Sequence, residues 1–505
     1  MGAESMLPPK RTVVFRLAFW PAIASCFLSA CAIRADDSKA SLRTWHAATG
    51  GYSVEAEFVA LEKGVVRLKR VDGKPIEVPL HRLSRSDQRW LRNHLASLRK
   101  LGSHPSSDPE PIESWHRWRG PWGDGVSRET GLLTTWPAEG PELLWSSSGL
   151  GRGHASLVIH AGKIYTLGAK QANVLICVDQ SDGSILWETT VGQGGEPNCT
   201  PTVDPVDGLV YAISLEGQLL CARADNGEAI WRKNFASDFG GRMMSQWGYS
   251  ESPLVDGDLL ICTPGGDTAL MAALDKRTGQ VAWTTTMPGN SAGYASPVIS
   301  TAGGMKQYIT LTGKGLIGVA ASNGQLLWHY PRVANSTANV PTPIVKDDLV
   351  FTSTGYDDGG SALLKLHADR RTGVRFTELY YKRNNEVQNH HGGMVLMGDH
   401  VYMGHGHNNG LPLCLELRTG RATWGPLRGA GSGSAALVAA DNQLYFRYEN
   451  GVMALVDANP SGYVLRGKFN IQTKHAQSWS HPVIQGGKLY LRDQHELHVY
   501  NISAR

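Results

Sequence analysis

The sequence predicts an all-β chain: an eight-bladed β-propeller whose last blade is built from both chain ends, preceded by a small β domain. Three observations carry this. The 505 residues hold Gly 58, Trp 15 and Pro 25 without low-complexity runs, a composition of many short strands and tight turns. A strand mark recurs at Tyr165, Tyr211, Ile261, Ile309, Phe351, Tyr402, Tyr445 and Tyr490, a step of about 46 residues, which is the length of four strands. The ends are also complementary. The last unit stops after Glu496-Leu-His-Val-Tyr500 with no Trp strand, while a spare one, Glu142-Leu-Leu-Trp145, precedes the first complete unit. Pairing the two closes a ring and removes exposed sheet edges.

Composition limits the function classes. Charged residues at 19% and hydrophobic ones at 41% exclude a disordered acidic chain and a multi-span membrane protein. Lys+Arg 49 against Asp+Glu 45, a net +4, is too balanced for nucleic acid as the main partner. The charge is unevenly placed: residues 41–101 carry twelve basic and six acidic groups, whereas 102–505 carry 32 and 36. A small basic unit thus precedes a large, slightly acidic one.

Residues 1–35 have the layout of an export signal. Lys10 and Arg11 precede the apolar run Leu17–Ala30, which ends in small residues and is followed by Asp36-Asp37. The run is shorter than the roughly 20 residues a membrane span needs. Leu28-Ser29-Ala30-Cys31 also has the form of a bacterial lipobox, which would lipidate Cys31 and supply a membrane anchor; cleavage after Ala32 or Ala35 competes with it. Either way the mature protein is expected in the periplasm or cell envelope.

Residues 41–101 read as the small domain. Val54-Glu-Ala-Glu-Phe58-Val-Ala-Leu61 alternates, then comes a turn at Lys63-Gly64, a strand Val65–Val71, a turn at Asp72-Gly73 and Ile76-Glu-Val78-Pro-Leu80. Ser84 with Asp87 forms a capping box for a helix that places Trp90, Leu91, Leu95 and Leu98 on one side. Arg67, Lys69 and Arg70 read as a solvated strand face. The run from Arg43 to Leu91 resembles the SLA1 homology domain 1, an SH3-like module. That family binds short peptide sorting motifs in eukaryotic adaptors, so the resemblance implies binding of a protein or peptide. Residues 102–114, with Ser103-His-Pro-Ser-Ser-Asp-Pro-Glu-Pro111, read as an extended linker.

Residues 115–505 are the propeller. After each strand mark comes a turn and then Trp, as in Asp179-Gln-Ser-Asp-Gly183…Trp187, Asn226-Gly227…Trp231, Asp275-Lys-Arg-Thr-Gly279…Trp283, Asn323-Gly324…Trp328 and Glu416-Leu-Arg-Thr-Gly420…Trp424. Asp369-Arg-Arg-Thr-Gly373 is followed by Phe376, one place off, and the seventh unit is degenerate around Gly462 and Tyr463. Cys177, Cys221 and Cys414 stand six residues before their turn glycines, where other units place Ala273 and Gly318; the site wants a small buried residue, so packing explains them better than redox chemistry.

Ala273-Leu-Asp275-Lys-Arg-Thr278-Gly279-Gln-Val-Ala-Trp283 resembles the quinoprotein repeat. With Trp118-Arg-Gly-Pro121, His390-His-Gly-Gly393, Gly404-His-Gly-His-Asn-Asn-Gly410 and Leu489-Tyr-Leu-Arg-Asp493, the whole of 115–505 resembles the exported, planctomycete-type PQQ-like propellers. An enzyme of that family uses PQQ with Ca²⁺ held by an acid and an amide, and Glu251 and Asn339 could imitate the pair. The chain has neither a Cys-Cys dipeptide nor a Cys-x-x-Cys-His haem site.

Function in this architecture is expected on loops entering the inner strands, several of which begin with proline: Thr200-Pro201, Ser252-Pro253, Ser296-Pro297, Thr342-Pro343 and His481-Pro482. The residues before them should rim the channel: His154, Asn198, Tyr249, Glu251, Tyr294, Asn339, Asn389, His390, His391 and Trp479. The longest Trp-to-Trp step accommodates Gly240–Tyr249, with Arg242 and Trp247, either a ligand lid or a channel plug. The channel-mouth ligand candidates are therefore Asn198, Arg242, Trp247, Tyr249, Glu251, Asn339, Asn389, His390 and His391, with no catalytic residue among them. His405 and His407 sit on one side of a strand and are the weaker metal candidates. The expectation is a non-catalytic envelope scaffold that needs no cofactor and contacts protein partners and small-molecule ligands at the mouth; a PQQ-dependent oxidoreductase of alcohols or sugars is the alternative.

Overall fold

The computed structural model describes residues 42–48, 50–62, 65–91, 114–356, 358–471, 477 and 479–504. The export signal of 1–35, Cys31, the Lys63-Gly64 turn, Leu95, Leu98 and nearly all of the linker 102–114 lie outside them. The chain divides into two compact units, 1–108 and 109–505.

In the first unit, strands Arg43–His46, Ser53–Glu62, Val65–Arg70 and Pro75–Pro79 form one antiparallel sheet in sequence order. Its core is Trp45, Ala56, Val66, Leu68, Leu83 and Leu91, with Phe58 and Trp90 packed against it. Ser84 caps the helix over 85–91: its Oγ accepts the Asp87 N–H at 3.2 Å and donates to the Asp87 carboxylate at 2.7 Å. The same buried carboxylate accepts the His46 N–H at 2.7 Å and pairs with Arg43 at 2.5 Å, tying the helix to the first strand. Arg67 and Arg70 remain on the surface beside Glu77 and Asp72.

The second unit is eight four-stranded antiparallel sheets. Blades 1 to 7 begin with inner strands Val158–His160, Thr202–Asp204, Leu254–Asp256, Val298–Ser300, Ile344–Lys346, Asn389–Met397 and Ala435–Ala440. Blade 8 has Val483–Gln485, Lys488–Asp493 and Glu496–Asn501, and its fourth strand is Glu142–Ser148, with Val499 opposite Trp145. The ring closes through the two ends as expected.

Register explains the repeat. In these blades a residue of the third strand lies between one of the second and one of the fourth: Tyr165, Cys177 and Trp187; Tyr211, Cys221 and Trp231; Tyr402, Cys414 and Trp424. The next blade's turn packs on that Trp. A Cβ at Gly227 would come 2.5 Å from the Trp187 ring, and one at Gly279 2.8 Å from Trp231. Only glycine fits both this approach and the positive φ, 76° and 69°. The five described cysteines are buried and free.

Two positions differ from the expected pattern. In blade 5 the residue opposite Leu363 is Tyr380, not Phe376, and a Cβ at Gly420 would meet its ring at 2.7 Å. Phe376 packs instead on Trp328 and Tyr330. In blade 7 the place is taken by Gly467, and Trp136, from before the closing strand, fills it against Tyr445 and Phe469.

Candidate functional site

The channel is crossed by the segment 115–128, which belongs to no blade. Its backbone pairs with the inner strands of blades 1, 2 and 7: Ile159 N–H donates to Trp115 O (2.9 Å), Val203 N–H to His116 O (2.8 Å) and Ser127 N–H to Ala439 O (2.8 Å). Arg119, 4% exposed, donates to the carbonyl oxygens of Gly392 (3.2 Å) and Met394 (2.5 Å) in blade 6 and of Asp124 (2.8 Å). Burial pulls its guanidinium down to about 10. Trp118 spans the channel, donating from Nε1 to Thr342 Oγ1 at 3.1 Å while its ring lies 4.6 Å from that of His481. It lines cavities on both sides of itself. The channel plug is therefore this segment, not the Gly240–Tyr249 loop, and the Trp118-Arg-Gly-Pro121 motif is its crossbar.

The residues before the inner-strand prolines build a ring of hydroxyls around it. Ser156 N–H donates to Thr200 Oγ1 (3.0 Å), Thr200 N–H to Ser252 Oγ (3.2 Å) and Ser252 N–H to Ser296 Oγ (2.8 Å), each bond running from one blade to the next. Above the ring opens the larger cavity, about 630 Å³, within the usual size of a small-ligand site.

Six of the expected rim residues line it: His154, Asn198, Tyr294, His390, His391 and Trp479. Trp247 joins them, 45% exposed, placed by the Gly240–Tyr249 loop, whose Ser245 Oγ donates to Thr337 O at 2.7 Å. The loop is thus a wall of the mouth. Sequence reasoning missed Trp118, Tyr356, His481, Gln477 and the hydroxyl ring, although the recurring Thr-Pro and Ser-Pro pairs carried that last signal.

Imidazoles and indoles stack along one side. The His390 ring lies 3.7 Å from His391 and 4.3 Å from His407, and Trp479 sits between His391 at 4.4 Å and His154 at 4.6 Å. His390 Nδ1 is 2.7 Å from Ser434 Oγ and its Nε2 is 2.9 Å from the Tyr356 hydroxyl. Burial pushes His390 and His481 down to about 3 and His154 to about 4, and holds His391 well below its ordinary value. These rings are neutral at pH 7. Among the described residues one carboxylate lies on the wall, that of Glu196, and it is held by Arg152 at 2.7 Å.

Arg242, Tyr249, Glu251, Asn339 and Asn389 do not reach the cavity wall. Arg242 pairs with Asp267 at 2.5 Å and Asn290 O at 2.8 Å on the outside. The buried Tyr249 hydroxyl donates to Pro264 O at 2.8 Å. Asn389 donates to Gly404 O at 3.0 Å. Asn339 accepts from Asn335 N–H at 2.9 Å and donates to Thr312 O at 2.9 Å, which spends its amide on the loop. Glu251 is buried behind the wall: Oε1 accepts Thr263 N–H at 2.5 Å, Oε2 has no partner, and burial raises it to about 7. The acid and amide that the quinoprotein resemblance implies as calcium ligands, Glu251 and Asn339, therefore do not face the cavity. His405 accepts Gln388 N–H at 3.2 Å, away from His407, so the two do not share a point. Among the described residues no three His, Cys, Asp or Glu side chains converge to hold a metal.

A ring of eight quinoprotein-type blades around a plugged channel defines the class of the larger unit. A family model described as "Outer membrane protein assembly factor BamB" matches residues 171–426, half of the chain, and the chain belongs to that family. The SLA1 homology domain 1 model matches residues 34–98. The outer membrane protein assembly factor BamB of Salmonella typhimurium is 30% identical over 129 residues, covering 24% of this chain and 30% of that protein, so under a third of the relative's length is spanned. BamB of Moraxella catarrhalis superposes with a TM-score of 0.53 at 16% identity, covering 72% of this chain and 98% of that one. The quinohemoprotein alcohol dehydrogenase of Comamonas testosteroni gives 0.55 at 11% identity, covering 79% and 82%. At these identities the two structures share the fold.

Proposed function

We propose that the protein is a non-catalytic binding scaffold of the cell envelope. The propeller mouth is its contact site for a protein side chain or a small uncharged ligand, and the SLA1-type unit is a protein- or peptide-binding adaptor. The observation that carries this is the chemistry of the 630 Å³ cavity: exposed Trp247 with Trp118, Trp479, Tyr294 and Tyr356, neutral imidazoles and, among the described residues, one carboxylate already paired. Amphipathic rings beside unspent polar groups are what partner recognition uses. The envelope setting is supported by relatives whose names are those of outer membrane assembly factors. For the alternative, a PQQ- and calcium-dependent oxidoreductase, the acid and amide that the resemblance implies, Glu251 and Asn339, are committed elsewhere.

The test is photo-crosslinking in envelope extract from p-benzoylphenylalanine placed at Gln246, on the cavity wall. A discrete adduct is expected, reduced about tenfold in a Trp247→Ala, Trp479→Ala background, as for loss of a hot spot. An adduct pattern indifferent to both substitutions would refute the assignment of the mouth.

A further inference from the structure

Below Trp118 a second cavity of about 360 Å³ lies between the plug and the inner strands of blades 3, 4 and 5. Its charged lining is Arg117, Arg119, Arg128 and Lys346 against Asp124 alone. Three of these cations are engaged: Arg119 by carbonyl oxygens, Arg128 by Asp124, and Lys346 by Asp399 at 2.5 Å. Arg117 is different. Its Nε donates to Pro121 O at 3.1 Å, which fixes the guanidinium plane, and its two Nη groups have no hydrogen-bond or ion-pair partner among the described residues. The neighbouring carboxylates are engaged as well, Asp124 by Arg128 and Asp256 by Lys306 and the Tyr308 hydroxyl, both at 2.6 Å. Beside the guanidinium, Gly123 keeps the space open; a Cβ there would lie 3.6 Å from Nη2. A half-buried guanidinium with a free fork in a cation-lined cavity matches a carboxylate.

The walls indicate what bears that carboxylate. The plug occupies the channel side of blades 1, 2, 6 and 7. The inner strands of blades 3, 4 and 5 pair only with the next strand of their own sheets, so their other edges face the channel. They bring Leu254, Val298, Ile299, Ile344 and Val345 to the cavity, and Trp122, 60% exposed, completes the lining. Unpaired strand edges beside apolar side chains accept an extended peptide.

We propose that this cavity binds the free carboxyl end of an extended apolar peptide, with Arg117 taking the terminal carboxylate and Trp122 covering the adjacent side chain. Calorimetric titration of the full chain with N-acetylated Ala-Val-Leu-Phe, as the free acid and as its C-terminal amide, tests it. The acid should bind at least tenfold tighter than the amide; Arg117→Gln should erase that difference and Arg117→Lys restore part of it. Trp122→Ala, on the surface, should weaken the acid about fivefold without moving the melting temperature. Octanoate should bind at least tenfold more weakly than the peptide acid. Equal affinity for acid and amide, no binding of either, an unchanged Trp122→Ala, or octanoate matching the peptide would each overturn the proposal.

Discussion

His390, His391, His481 and His154 are held in their neutral forms by burial, two of them near 3 and one near 4, against an ordinary value near 6.5. Between those limits the unfolded chain binds more protons than the folded one. The stability they confer is complete above about pH 6.5 and is lost as pH falls toward 3 or 4, at about 1.4 kcal/mol per pH unit per imidazole. Glu251 works in the opposite sense: its folded value near 7 is raised, so folding gains protons between about pH 4.5 and 7 and offsets one histidine. Four against one leaves a net loss on acidification. Urea unfolding at pH 7 and pH 5 should show it, with a steeper loss in Glu251→Gln and a shallower one in His390→Gln. A flat profile would mean that the mouth is open to water. His154, His390 and His391 were legible from their place before an inner strand, but their neutrality was not, because it depends on stacking between residues as distant as His154 and Trp479.

At the level of elements, the blade signature shows what period can and cannot reveal. It assumes a constant hairpin. Blade 5 breaks that with strands Gly360–Asp369 and Gly373–Arg383, so the packing ring falls at Tyr380, where its hydroxyl donates to Leu417 O at 2.8 Å. Tyr380→Ala should cost about 2–3 kcal/mol in urea unfolding, less than a fully buried ring because Tyr380 is half-buried, and more than Phe376→Ala. The reverse order would put the blade 5 register in error. The plug was illegible for another reason. Segment 115–128 has no repeat partner, and what holds it is backbone pairing to three blades and the Arg119 side chain on a fourth, with Gly120 at φ 81° turning beneath the Trp115 ring. Likewise the side chains of Glu251, Asn339 and Asn389 stand beside the channel in sequence, yet turn away from it because adjacent backbone groups need their hydrogen bonds.

For the whole molecule, closure was legible because the missing strand at one end and the spare strand at the other are the same kind of strand. Arg492 adds a device that the repeat could not predict. Buried in blade 8, it donates to Thr166 Oγ1 and Leu167 O in blade 1, both at 2.5 Å, and strengthens the join. A ring closed in this way and plugged by its own leading segment is a rigid cup with a neutral aromatic mouth, the geometry on which the scaffold assignment rests. The most direct measurement is to incubate the purified full chain with PQQ and Ca²⁺, remove the excess, and record the quinone absorbance and dye-coupled oxidation of alcohols and sugars. The scaffold account predicts no retained quinone and no dye reduction above the blank. Stoichiometric quinone that turns over substrate would contradict it.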